Sequence, residues 1–300
     1  MQALRPGKPL FLAALAVGVL AMAACGRDET AGQQASDAAI DATPQPEPAA
    51  ETATAPPGSA ANEPREVISE SMPYADVNDA LVYGYFVAPA DMFEPLPAVI
   101  MVHEWWGLND DIRARANRIA AQGYIVLAVD LFAGRTTAST AEARTFMLTV
   151  LEDPGAAEEN LLSAYQFVRQ IGAPKVATIG WRFGGTWSLN AAISLSGDLD
   201  AAVIYYAPVT SDEDELRAVS APILGLFAEN DISVKTESVE AFKASLKRLR
   251  KEHEIQIFGG VRQGFASENA ANYDSVSADL AWNMTLDFLK RHLAASGAGS

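Results

Sequence analysis

The stretch Val176–Trp187, VATIGWRFGGTW, has the residue types and spacing of a reactive turn. A short apolar run leads into Gly180, and Gly184 precedes a helix-like segment. Glycines at this spacing let a strand turn sharply into a helix and lift the residue between them to the top of a sheet. That residue is Arg182. A guanidinium stays protonated at any working pH, so it serves as neither nucleophile nor general base. Three further segments carry polar groups just after apolar runs. HEWWGLN places His103, Glu104, Trp105 and Trp106 together. FAENDISV places Asp231 in a loop, and FGGVRQGF does the same for Gln263. The chemistry on offer is a carboxylate, a carboxamide and an arginine, with aromatic walls. Thr186 and Ser188 fall inside the helix after the turn, and Ser267 has no evident base. His253 belongs at the start of a strand and His292 near the end of the last helix, so both are expected away from the turn.

Positioning these groups requires a sheet. AVIMVH (98–103), YIVLAVD (124–130), KVATIG (175–180), AAVIYYA (201–207), PILGLFA (222–228) and EIQIF (254–258) read as strands. Most are continuous apolar runs, as expected of strands buried on both faces. ALVYGYFVAPA (80–90) reads as an early antiparallel edge strand. Between them lie helical patterns. In NDDIRARANRIAAQG, Asn109 or Asp110 caps, Ile112, Ala116 and Ile119 share a face, and Gly123 ends the helix. Further helices are predicted over 141–151, 156–171, 185–195, 237–249 and 277–293. Alternation of this kind predicts an α/β fold, a doubly wound and mostly parallel sheet flanked by helices. Such sheets bind ligands at the carboxyl ends of their strands, where the four segments above fall.

The chain of 300 residues carries a net charge of −16, which argues against nucleic acid as a partner. Residues 1–24 have the basic start, short apolar run and small residues of a signal peptide. Met22-Ala23-Ala24-Cys25 resembles a bacterial lipoprotein box, and Cys25 is the only cysteine. This predicts a lipid-modified Cys25, attachment to a membrane of the cell envelope on its periplasmic side, and no disulfide in the folded part. Residues 25–65 are rich in alanine, proline and acidic residues, and are expected to be a disordered tether to a domain over 66–300. No cofactor or metal is expected.

From Val82 to Leu293 the wording resembles the dienelactone hydrolase family, within the α/β-hydrolase superfamily. The likeness rests on VHEWWGLN, VDLFAGR, IGWxFGGTWSL, APILGLFAENDxSV and GGVxxGF, in that order. The resemblance implies a cysteine nucleophile at position 182 and a histidine at position 263, where this chain has Arg182 and Gln263. It implies that Asp231 is the triad acid and that Glu104 lies beside the nucleophile. It places the backbone N–H of Phe183, with one from the Glu104–Trp105 loop, in an oxyanion hole. It pairs Arg135 with one of two arginines that hold a substrate carboxylate, the second falling near Ser267. Trp105 and Trp106 are candidates to line the cleft.

Two roles for Arg182 follow. As a plug, it pairs with Glu104 and Asp231 and turns the old active site into a polar core. As a binding group, it keeps a free face for a small anionic or ester-like ligand. The expectation is a pseudo-hydrolase that binds a ligand or partner at the envelope. The alternative is an active esterase or lactone hydrolase with an atypical mechanism using Glu104, His103 or Asp231.

Overall fold

The structure is a computed structural model that describes residues 64–294. The expected signal peptide, Cys25 and nearly all of the tether lie outside the described residues. Eight strands form one sheet: β1 (Val67–Val77), β2 (Ala80–Pro89), β3 (Ala98–Val102), β4 (Ile125–Val129), β5 (Val176–Trp181), β6 (Ala201–Tyr205), β7 (Ile223–Ala228) and β8 (His253–Phe258). Their spatial order is β1-β2-β4-β3-β5-β6-β7-β8. The pairs β1–β2 and β2–β4 are antiparallel, and all others are parallel.

Every residue of β3 to β7 is buried, which explains their unbroken apolar sequences. The helices are α1 (Asp110–Ala120), α2 (Thr140–Glu152), α3 (Pro154–Gln170), α4 (Phe183–Ser194), α5 (Glu213–Leu216), α6 (Thr236–Arg248) and α7 (Ser275–Leu293). Helices α1 and α7 pack on one face of the sheet through Ile112, Ile119, Phe288 and Leu289. Helices α2, α3, α4 and α6 cover the other face through Val150, Leu161, Trp187 and Phe242. The side chain of Asn109 caps α1, accepting from Ile112 N at 3.2 Å, and Gly123 closes the following turn at φ +99°.

One expectation is corrected. The strand over 80–90 is antiparallel but not at the edge, because β1 pairs along its outer side over almost its full length. β1 is largely solvent-exposed and reads VISESMPYADV, with only Tyr74 and Ala75 buried, so it carries little apolar signal.

The chain leaves β3 for β4 on one side and returns to β5 on the other. The order therefore reverses between β3 and β5, and a crevice opens at their carboxyl ends. Glu104 follows β3 there, and Arg182 follows β5.

Candidate functional site

Arg182 sits at the corner between β5 and α4 with φ +53° and ψ −112°. For a residue with a side chain this is strained backbone, tolerated only where the surroundings enforce it. Its N–H donates to Tyr205 O at 2.9 Å, and its carbonyl accepts from Thr186 N at 3.0 Å. The corner is tight because of its glycines. A Cβ on Gly180 would overlap the backbone of Gly184, and one on Gly184 would overlap the carbonyl of Val102. The hydroxyls of Ser188 in α4 and Thr178 in β5 are 2.9 Å apart and fully buried, so Ser188 ties α4 to β5 and does not face the crevice.

The Arg182 side chain is half-buried and lies over Trp105, its guanidinium carbon 4.4 Å from the ring centroid. Among the described residues no carboxylate lies within 4 Å of its nitrogens, which corrects the expected pairing with Glu104 and Asp231. Both carboxylates are already engaged. Glu104 Oε1 accepts from Arg115 Nη1 at 3.1 Å and from Ser267 Oγ at 3.3 Å. Arg115 Nη2 donates to the same Ser267 Oγ at 2.6 Å. Tyr206 OH lies 3.1 Å from Ser267 Oγ; the serine proton goes to Glu104, so the tyrosine donates. Arg115 also stacks 4.5 Å over Trp181.

Sequence reasoning missed Arg115 and Tyr206. The signal for Arg115 was present: it falls between Ile112 and Ile119, on the apolar stripe of α1. An arginine there must meet an acid inside the protein. Tyr206, buried just past β6 at φ +34°, had no such signal. Burial and the nearby Glu104 push its phenol well above the usual tyrosine range, so it remains a hydroxyl donor.

Asp231 is buried beyond β7. Its Oδ1 accepts from Ser233 N at 2.7 Å and Val234 N at 3.0 Å. Its Oδ2 accepts from Gln263 Nε2 at 3.1 Å. Gln263 Nε2 also donates to Tyr206 O at 3.3 Å. Above these groups is a cleft of about 680 Å³, lined by Glu104, Trp105, Trp106, Arg115, Arg182 and Gln263, with loop residues around the rim. The group at the corner is a cation without a nucleophilic lone pair. The lining carries both signs of charge, with Arg115, Arg182 and Arg262 beside Glu104 and Asp111.

A profile of the dienelactone hydrolase family matches residues 82–293. The chain belongs to the dienelactone hydrolase family. Similar family-sized proteins include a Saccharolobus solfataricus protein provisionally named a carboxymethylenebutenolidase, 24% identical over 73% of this chain and 97% of that one. Protein usf of Aquifex pyrophilus is 26% identical over 72% of this chain and 96% of its own length. Among solved structures, a dienelactone hydrolase-like promiscuous phosphotriesterase from metagenomic libraries superposes with TM-score 0.68 at 20% identity, covering 75% of this chain and 98% of that one. A thermophilic esterase of Thermogutta terrifontis superposes with TM-score 0.58 at 18% identity, covering 77% of this chain and 95% of that one. These likenesses carry the α/β-hydrolase fold.

Other family-implied positions fall differently. Phe183 is buried against His103, Phe132 and Trp187, and only its backbone can face the crevice. Arg135 does not line the Arg182 cleft, which corrects its expected binding role. Its Nε donates to Phe132 O at 2.8 Å and its guanidinium lies 4.4 Å over Phe146, beside a separate groove. His103 is fully buried. Its Nε2 accepts from Leu131 N at 3.0 Å, so its proton is on Nδ1, donated to Glu104 O at 2.6 Å. Both nitrogens are used, so His103 cannot activate a water in the cleft. His253 lies at the amino end of β8, the end of that strand opposite to the one that leads to Gln263. His292 lies near the end of α7, 3.8 Å from Glu252.

Proposed function

We propose that this member of the dienelactone hydrolase family is a pseudo-hydrolase. In this reading it is a lipid-anchored binding protein of the cell envelope that holds an anionic ligand on Arg182. The observation that carries the reading is the state of Arg182. It stands where the fold presents its reactive side chain, faces an open cleft, and rests on Trp105 instead of a carboxylate. A guanidinium held over an aromatic ring still has N–H groups to offer, and a guanidinium can grip a carboxylate through two parallel hydrogen bonds. Gln263 supports the same reading. A histidine able to take a proton has given way to a neutral amide that still holds Asp231.

The rival reading, a working esterase with a base other than histidine, finds little support in these contacts. His103 is sealed, Glu104 is tied to Arg115 and Ser267, and Asp231 has its oxygens filled by N–H groups. The envelope location rests on residues 1–25, above all on the Met22-Ala23-Ala24-Cys25 sequence.

Titration calorimetry with benzoate as a probe carboxylate tests the binding function. The full chain is expected to bind it and Arg182→Ala to lose it. Binding that Arg182→Ala leaves unchanged, or none by the natural chain, overturns the anion reading. Labelling with radioactive palmitate, present for the natural chain and absent for Cys25→Ser, tests the anchor.

A further inference from the structure

The two ends of the sheet differ in kind. The cleft lies where the parallel strands finish, and the opposite end is where β3 to β8 begin. Strand β5 spans the distance: Lys175 precedes it and Arg182 follows it, about 20 Å away at ~3.3 Å per residue.

The amino end gathers positive charge in a chain whose net charge is −16. KASLKRLRK (243–251) closes α6 and leads into β8 with five cations and no acid. Helix α7 ends beside it. Arg291 Nη1 donates to Glu254 Oε1 in β8 at 2.6 Å, and Lys175 Nζ donates to the carbonyl of His292 at 2.7 Å. Cations in the last turn of a helix complement its dipole, which accounts for Lys247 and Lys290. It does not account for Arg250, in the turn beyond α6 at φ +56°. Lys247, Arg250 and Lys290 are exposed, and among the described residues none has a carboxylate within 4 Å. Nearby acids are engaged: Glu254 by Arg291, Glu213 by Arg248, and Asp200 by the N–H of Val176.

The same end bares apolar groups. Phe93, in the loop from β2 to β3, is 95% exposed, with Met92 exposed beside it, and Ile171 is exposed shortly before β5. Unpaired cations attract any anionic partner. Bare apolar side chains among them suit one kind in particular, a bilayer surface, where apolar groups sink to the headgroup boundary and cations meet anionic lipid. The chain also enters the domain at this end: Arg65 N donates to Ala121 O at 2.9 Å, shortly before β4.

We propose that the amino end of the sheet rests on an anionic phospholipid surface, with Phe93 in the headgroup layer and Lys247, Arg250 and Lys290 over anionic headgroups, so that the cleft opens away from the membrane. The proposal takes its partner from the lipid-anchor reading above and assigns the surface that meets it.

Co-sedimentation with vesicles tests it, using the full chain with Cys25→Ser so that no acyl chain contributes. Residues 1–24 are common to every variant and cancel in the comparison. Adding phosphatidylglycerol to phosphatidylcholine vesicles is expected to strengthen binding by about tenfold or more, and about 0.5 M salt to cancel most of that gain. Lys247→Glu/Arg250→Glu/Lys290→Glu, all at exposed positions, should lose about tenfold or more on phosphatidylglycerol and nothing on phosphatidylcholine. Phe93→Ser should lose roughly fivefold or more on both. A triple variant that keeps the preference for phosphatidylglycerol overturns the proposal. So does a Phe93→Ser chain that binds as Phe93 does, because the end would then attract charge without touching lipid. Tighter binding to soluble polyglutamate than to the anionic vesicles would assign the surface to an acidic protein and overturn it likewise. Palmitate labelling decides the anchor separately: labelling with no effect of these variants keeps the anchor and removes this surface, and the expected losses without labelling do the reverse.

Discussion

Gln263 donates from Nε2 to Asp231 Oδ2 at 3.1 Å, so the acid after β7 and the residue after β8 remain joined although no proton can shuttle between them. On the proposed reading, the acid keeps a partner that orients it, and Arg182 and Gln263 stand where the family resemblance implies a cysteine and a histidine. The hydrolytic frame is therefore expected to be recoverable. The natural chain and the single variants Arg182→Cys and Gln263→His should be silent toward p-nitrophenyl acetate. The double variant should exceed them by on the order of 10²-fold or more, because a thiol needs a positioned base. Turnover by the natural chain that Asp231→Asn abolishes would instead establish a working enzyme.

The frame of this site was legible and its contacts were not, for a physical reason. Buried parallel strands must be apolar throughout, so β3 to β7 announce themselves, and the residue after each strand end follows from the topology. The glycines around Arg182 are dictated by close backbone approach and are equally readable. Competition for a partner is different. Glu104 has two arginines within reach of its strand end, and the sequence does not tell which one wins. Arg115 does, because α1 packs its stripe on the sheet and delivers the guanidinium to Glu104 and Ser267. β1 and the short helix α5 escaped notice because exposed or four-residue elements leave almost no periodic signal.

The backbone at Arg182 gives a second prediction. Its φ of +53° suits glycine and penalises any residue with a Cβ. Both Arg182→Gly and Arg182→Ala lose the contact with Trp105, worth about 0.5–1 kcal/mol. Only the glycine also relieves the strain, of order 1–3 kcal/mol, at some cost in chain entropy. Arg182→Gly should thus be more stable than Arg182→Ala by about 1 kcal/mol. Urea unfolding midpoints check this, and equal midpoints would mean that the corner is unstrained.

Asp130 carries an acid-dependent part of the stability. Burial alone would raise its carboxyl; the hydrogen bonds that it accepts from the backbone N–H groups of Phe132 and Gly134 outweigh burial and hold it below the ordinary carboxylate value. A group depressed in the folded state contributes stability that is full above its unfolded value, about 4, and is lost as pH falls through the folded value. Asp130→Asn should therefore be less stable than the natural chain by about 1–3 kcal/mol near neutral pH. The gap should narrow toward roughly pH 3. Urea unfolding at the two pH values measures it, and a gap independent of pH would show that the carboxylate is not held ionised.

The Glu104–Arg115 pair gives the largest expected effect. The two side chains are only 15% and 17% exposed, and their nearest atoms are 3.1 Å apart. Removing one partner of such a shielded pair strands the other, which costs more than the pair itself contributes. Arg115→Met leaves the Glu104 carboxylate with the Ser267 hydroxyl alone and also removes the stacking on Trp181. A loss of about 2–4 kcal/mol is expected, somewhat below the fully buried case because some solvent reaches the site. Glu104→Gln should cost less, since a carboxamide oxygen can still accept from both Arg115 and Ser267. The variant Arg115→Met/Glu104→Gln removes the stranded charge, and should therefore be more stable than Arg115→Met alone by about 1 kcal/mol or more. Additive losses across this cycle would mean that Glu104 and Arg115 are neighbours without being partners, and that Glu104 is free to engage whatever Arg182 holds.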